Sequence, residues 1–317
     1  MEPIVIRDPN SGAEAKVLAE FGFNCFSFLA PVDGELIEVI DAEPSFSSGG
    51  GRASGNGIPI LFPFPNRIRD GRYRWNDKDF QLTELDGDGN AIHGFVLDRP
   101  WRVTSSDTNF VVGEFQLSVD APDRLPHWPS DFILELRYEV TGSTLGCQIT
   151  ITNPSQDPLP WGFGTHAYFR MPLAGDSGAT DCLVQAPAGE SWELINCLPT
   201  GKKVPVDGHV DLREGRRLGD RPLDDVLTGV EPQNGHIETL AMDEKAGLQI
   251  SQKTDAIFRE LVVYTPPTGR SVCLEPYTCV TDAVNLEQAG HDTGWLVLPP
   301  GEKVQTWITI ELGRVYA

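Results

Sequence analysis

Between Asp131 and Pro154 the chain reads DFILELRYEVTGSTLGCQITITNP. Leu145, Cys147, Ile149 and Ile151 alternate there with Gly146, Gln148, Thr150 and Thr152, and a Thr-Gly-Ser turn separates this run from a similar one before it. Apolar side chains at every second position line one face of an extended strand, so the pattern predicts a β-hairpin with one face buried. Shorter runs of this kind recur in AEAKVLAEFG, ELIEVI, FVVGEFQLSV, GLQISQKT, ELVVYTP, SVCLEP and VQTWITIEL, and 32 Gly and 25 Pro punctuate them. That spacing predicts an all-β fold, a large antiparallel β-sandwich. Helical signal is confined to a turn or two at Thr281 to Gln288, with no sustained 3.6-residue apolar period, which argues against a doubly wound α/β fold. Neither an internal repeat nor a compositional break marks a linker, so residues 1–317 read as a single domain. The Ser/Gly-rich FSSGGGRASGNG, residues 46–57, reads as a mobile loop lying beside whatever the following GIPILFPFPNRI builds.

Composition adds two constraints. Hydrophobic residues make up 40% of the 317 positions, enough for a substantial core, and 46 acidic against 25 basic residues leave a net charge of −21. A field of that sign repels nucleic acid and anionic lipid and favours a neutral small molecule as the partner. The six cysteines form no CxxC pair and no zinc-ligand spacing with the histidines, so they read as free buried thiols and no metal is expected. MEPIVIRDPNSG lacks the basic start and apolar run of a secretory signal, and no stretch approaches the ~20 apolar residues of a membrane span. A reducing, cytoplasmic location is the expectation.

Four segments carry chemistry unusual for a sandwich. PWGFGTHAYFRM sets His166 among aromatic, apolar and small residues, either as a core histidine bonded to a backbone carbonyl or as a proton donor and acceptor in a pocket. FPNRIRDGRYRW offers Asn66 and Arg67 in a turn, with Asp70-Gly71 as a hairpin signal before Tyr73 and Trp75. NAIHGFVLDRPW puts His93 just before a glycine, where the chain can bend and aim a side chain into a cleft. In SVCLEPYTCVTDAVN, Glu275 closes an apolar run before a proline. A carboxylate there is either ion-paired or raised in pKa by burial and suited to general base chemistry.

Taken together, NRIRDGRY, IHGF, NPSQDPLPWGFGTHAYF, LPTGKKVPVD, LDDVLTG, CLEPYTCVTDAVNL and LPPGEKVQTWITIEL run in one order from about residue 57 to residue 313. In that order they resemble the aldose 1-epimerase (galactose mutarotase) family. The resemblance implies a galactose mutarotase-like supersandwich with the sugar on its concave face. It implies His166 as general acid, Glu275 as general base, His93 as a second sugar-contacting histidine and Arg67 as the bracing arginine. The family's hydroxyl-binding aspartate falls on Asp224, with Asp225 the alternative if the alignment slips by one. Asn66 and Trp161 are expected in or beside the pocket, and Phe163, Tyr168 and Phe169 with Trp161 can wall it.

The implied activity is interconversion of the α and β anomers of a neutral aldose by acid/base ring opening and closure, with no metal or organic cofactor, in a monomer or homodimer. One alternative is a hexose-6-phosphate 1-epimerase, for which Arg67, Arg69, Arg72 and Arg74 are the candidate phosphate ligands; alternating arginines on a hairpin more often form a solvated face. Another is a carbohydrate-binding protein without catalysis, since a fold alone does not confer function. A metal site built from His93, His166 and Glu275 is disfavoured, because no local ligand spacing supports it.

Overall fold

The computed structural model describes residues 1–219 and 221–315. The hairpin read from alternation is present: Ile133–Thr141 pairs antiparallel with Thr144–Thr152, Thr141 opposite Thr144. Gly142 turns the chain at φ 61, a left-handed conformation open to a residue without Cβ. Leu134, Leu136, Tyr138 and Val140 on one strand, and Leu145, Cys147, Ile149 and Ile151 on the other, are all buried. Those strands sit inside a nine-stranded antiparallel sheet. Its order is Arg102–Ser106, Phe110–Gln116, Ile133–Thr141, Thr144–Thr152, Lys303–Arg314, Leu248–Asp255, His236–Asp243, Cys182–Gln185 and Arg216–Arg217. The C-terminal strand thus inserts between strands from the middle and the later part of the chain.

A second sheet runs Leu198–Pro205, Ala188–Ile195, Asp224–Val230, Glu260–Tyr264, Ser271–Tyr277, Gly164–Thr165, Ile60–Leu61, and Ala167–Arg170 also pairs with Ser271–Tyr277. One face of this sheet packs on the first. Gln252 Nε2 donates to the Leu274 carbonyl at 3.2 Å between the two layers, and Phe169, Val263 and Leu274 share a buried cluster with Ile250 and Ile310. Because side chains alternate along a strand, Cys273, Glu275 and Tyr277 then lie on the other face, away from the main core. A four-stranded N-terminal sheet, Ile4–Arg7, Glu14–Leu18, Asn24–Val32 and Glu35–Glu38, joins the second sheet's edge through the Cys25–Ile58 and Ile40–Phe169 bridges.

Three local expectations change. Asp70-Gly71 is a left-handed turn, at φ 55 and 61, that links Arg67–Ile68 to Arg72–Trp75. The hairpin itself turns at Asn76-Asp77, both also at positive φ, before Lys78–Gln81. The C-terminal helical signal contracts to Ala283–Gln288, and FVVGEFQLSV leaves its strand at Gln116 to make the helical turn Leu117–Asp120. Residues 46–57 contain two short 3-10 turns, Phe46–Ser48 and Ala53–Gly55.

A satellite cluster around Trp192 holds a carboxylate that the sequence did not single out. Glu260 is fully buried and accepts hydrogen bonds from Trp192 Nε1 at 2.8 Å and Thr228 Oγ1 at 3.1 Å. Burial outweighs those donors and raises its pKa from 4.5 to about 7. The folded protein therefore keeps a proton that the unfolded chain releases, so stability falls as pH rises through this window, by on the order of 3 kcal/mol. Thermal denaturation from about pH 5 to about pH 8 is expected to show a shallower loss of Tm in Glu260→Gln than in the wild type.

Candidate active site

Glu275 and His166 meet because of a break in a β-ladder. All seven residues of Ser271–Tyr277 are buried, and Pro276 has no N–H to give to a neighbouring strand. On one side of this strand, Gly164 pairs with Tyr277 and Ala167 pairs with Leu274, in continuous register. Between those two contacts Thr165 and His166 pass opposite Pro276 and Glu275 without ladder pairing, and the His166 amide bonds to the Pro59 carbonyl instead, at 3.0 Å. His166 Nε2 consequently stands 3.3 Å from Glu275 Oε1. The Tyr277 hydroxyl donates to the other carboxylate oxygen, Oε2. Tyr168 stacks on the imidazole at 4.7 Å and 9°, which fixes its plane.

His93 closes in edge-on, its ring 5.7 Å from that of His166. It reaches this place through two consecutive left-handed residues, His93 at φ 64 and Gly94 at φ 75. A Cβ on Gly94 would stand 2.1 Å from the Phe62 carbonyl oxygen, which also accepts the Phe95 amide at 2.7 Å. Gly94→Ala is therefore expected to cost at least about 2 kcal/mol of stability in a denaturant titration, from backbone strain and overlap together.

Arg67 is held from its polar end. Its Nε donates to Asp86 Oδ2 at 2.9 Å and its Nη1 to Asn66 Oδ1 at 3.1 Å, while the Asp282 amide bonds to the Arg67 carbonyl at 2.8 Å. Asp86 is in turn pinned by the amides of Asp88 and Asn90, and its pKa is lowered despite partial burial. Asp86 was not singled out from the sequence, although DGDGN is a turn signal that a bracing carboxylate can occupy. Asp86→Asn is expected to loosen the guanidinium and raise KM roughly fivefold with little change in kcat, since a charge-assisted bond worth about 1 kcal/mol is lost.

These residues line one cleft of about 410 Å³, of a size suited to a small ligand. Asn66, Arg67, His93, His166, Tyr168, Asp224, Tyr264, Glu275 and Tyr277 contribute to its wall, together with Glu43 and Arg52. The 46–57 loop supplies Gly51, Arg52, Ser54, Gly55 and Asn56, and the Tyr168 hydroxyl fastens to the Ser54 carbonyl at 2.9 Å. Cross-strand register separates the two candidate aspartates. Asp224 pairs with Tyr264 on the cleft face, whereas Asp225 pairs with Val263, whose side chain belongs to the inter-sheet core, and so points to the opposite side. Trp161, expected in or beside the pocket, lies instead in the core, buried against Phe62 and on a strand paired with Leu296–Leu298; Phe163 and Phe169 are core as well. Arg69, Arg72 and Arg74 do not line the cleft and are engaged by Asp282, Gln81 and the Asp77/Asp79 pair respectively.

Burial dominates the electrostatics. It raises Glu275 well above the carboxylate range against the opposing Tyr277 hydrogen bond, and lowers His166 to about 4. Burial, then the neighbouring His166 and the Arg67 and Arg52 cations, holds His93 well below the usual histidine range. Both shifts favour the form of the Glu275–His166 pair without net charge, in which Glu275 holds the proton and His166 is neutral. Burial also raises Asp224. Cys273 Sγ, His166 and Glu275 place donor atoms within 4.8 Å of one another, a grouping the sequence spacing did not suggest. Burial and the adjacent Glu275 carboxylate push the Cys273 thiol well up, which disfavours the thiolate that binds metals.

The family model described as aldose 1-epimerase matches residues 48–311. The uncharacterized protein YihR of Escherichia coli K12 is 22% identical over 231 residues, 71% of each chain. A galactose mutarotase-like protein from Clostridium acetobutylicum superposes with a TM-score of 0.85 at 21% identity, covering 96% of this chain and 93% of that one. The galactose 1-epimerase of Lactobacillus acidophilus superposes with a TM-score of 0.74 at 20% identity, covering 99% and 95%. The match to the family model spans most of the described sheets and every cleft residue except Glu43, and the chain belongs to the aldose 1-epimerase family.

Proposed function

We propose that the protein interconverts the α and β anomers of a neutral aldose, with Glu275 and His166 as its acid/base pair. The observation that carries this reading is the buried, register-opposed contact between Glu275 Oε1 and His166 Nε2 at 3.3 Å, on the wall of a sugar-sized cleft. Ring opening needs the C1 hydroxyl proton removed and the ring oxygen protonated. In the charged tautomer, the Glu275 carboxylate takes the proton from O1 and the His166 imidazolium gives one to O5. The C1–O5 bond breaks and the C1=O1 bond forms. That step leaves Glu275 protonated and His166 neutral, the form that burial favours, so desolvation assists the proton movement in the direction of ring opening. Rotation about C1–C2 presents the other face of the aldehyde, and the same transfers in reverse close the ring. The Tyr277 hydroxyl steadies the carboxylate while it is charged.

The charge of the cleft supports a neutral substrate. Arg52 and Arg67 face Glu43 and Asp224 in the cleft, and Arg67 already engages Asp86. A phosphate would require a surplus of cations that these residues do not provide. His93 and Arg67 bind hydroxyl or ring oxygens, and Asp224 accepts from hydroxyls remote from C1. The direct test follows freshly dissolved α-D-glucose and α-D-galactose by polarimetry or proton NMR. Equilibration faster than the spontaneous rate is expected, and hexose 6-phosphates are expected to be poorer substrates. Inertness toward neutral aldoses would overturn the reading.

A further inference from the structure

Two groups of the cleft are carried by one irregular segment, residues 84–98. It supplies His93 and, through Asp86, the carboxylate that holds Arg67. Regular pairing covers little of it: Ala91–Ile92 pairs with Arg67–Ile68, and single bridges join Leu85 to Ala91 and Gly94 to Phe62. The two consecutive left-handed residues, His93 and Gly94, bend the chain where the imidazole enters the cleft. A bend of that kind persists only where the surrounding structure over-determines it.

Accepting that His93 and Arg67 bind the sugar, we propose that Arg124 is the positioning residue for both. Arg124 does not line the cleft. It sits between the helical turn Leu117–Asp120 and the 3-10 turn Leu125–His127, and is only 4% exposed. Its guanidinium engages both ends of the 84–98 segment. Nε and Nη2 donate to Glu84 Oε1 at 3.1 and 2.6 Å, and Nη1 and Nη2 donate to Asp98 Oδ1 and Oδ2 at 2.8 and 2.9 Å. Nη1 also donates to the carbonyl of Phe95, two residues beyond His93. The Phe62 carbonyl holds the Phe95 amide at 2.7 Å, so both backbone polar groups of Phe95 are fixed. At the other end, Glu84 stands two positions before Asp86. One planar fork thus sets the backbone on both sides of the two site groups. A lysine carries the same charge as a single point and cannot reproduce two bidentate contacts and a carbonyl bond together. Placing a buried cation between carboxylates adds little net stability over an apolar residue of the same size, whereas it does fix geometry.

Arg124→Lys tests this through initial rates of anomer exchange and through proton NMR of the imidazoles. KM for glucose or galactose is expected to rise roughly tenfold with kcat nearly unchanged, because the displaced groups bind sugar in the ground state and the transition state alike. The His93 ring resonances, assigned by their loss in His93→Asn, are expected to shift or broaden, while those of His209 and His236, outside this segment, stay in place. In the His93→Asn background Arg124→Lys is expected to cost less than about threefold, since part of what it positions is already gone. Glu84→Gln and Asp98→Asn, at exposed carboxylates, are expected to give the same changes at smaller size, and they carry the test if Arg124→Lys does not fold. Arg102→Gln, which releases Asp120 on the neighbouring helical turn, is expected to move neither readout. A folded Arg124→Lys protein with wild-type KM and unmoved His93 resonances overturns the assignment. So does a tenfold loss that persists undiminished in His93→Asn, or an equal loss in Arg102→Gln. A wild type inert toward neutral aldoses overturns the acid/base reading, and the His93 resonances then decide the positioning role alone.

Discussion

Replacing Glu275 with glutamine is expected to lower kcat/KM for anomer exchange by roughly 10²–10⁴-fold, the range that one positioned acid/base group contributes. The substitution keeps the side chain's shape and an oxygen that can accept the Tyr277 hydroxyl. It also removes a buried group whose charged form the site disfavours, so the fold should be retained or stabilised. Substrate affinity should change far less than kcat, because what disappears is an interaction made as the C1 hydroxyl proton moves. Spontaneous mutarotation sets the floor of the assay, so the measurement is the enzyme-dependent increment in polarimetric rate, with circular dichroism as the check on folding. A Glu275→Gln protein that equilibrates glucose at the wild-type rate would remove Glu275 from the mechanism.

His166→Asn is expected to cause a loss of similar size, with a change in pH dependence that separates proton transfer from packing. The wild-type pair must hold one proton. Below about pH 4, where His166 titrates, it gains a second and has no base left; above the raised pKa of Glu275 it loses its only proton and has no acid left. The kcat/KM profile is therefore expected to be bell-shaped, with an acid limb near pH 4. In His166→Asn the residual activity should lack that limb, since asparagine does not titrate. A histidine that served only to stack on Tyr168 would, on removal, lower the rate and leave the limb in place.

Both predictions rest on residues that the sequence named, but on a juxtaposition it did not contain. GTHAYF and CLEPYT are more than a hundred positions apart in the chain, and what brings them together is the antiparallel register of Ala167–Arg170 on Ser271–Tyr277. The proline after Glu275 was legible as a strand-ending signal. In the fold it interrupts one ladder while the strand continues through Tyr277, and that interruption is where His166 lies.

By itself the sequence determined the fold class, part of the strand set and the residue types. Alternation identified the Ile133–Thr152 hairpin, five of the nine strands of the first sheet and, in the second, Glu260–Tyr264 and Ser271–Tyr277, because a strand with one buried face writes a period of two into its own residues. The ordered motifs singled out His93, His166, Arg67, Glu275 and the Asp224-Asp225 pair as candidates for the chemistry. Tertiary structure decided whatever depends on which face is turned inward and on what lies across a sheet. It turned Asp224 to the cleft and Asp225 away, although the two are neighbours and chemically alike. It put Trp161 into the core, brought Asp86 to Arg67, and packed Glu260 beneath Trp192. A period of two fixes that adjacent side chains diverge; which of them meets the ligand is set by the layer packed behind the strand.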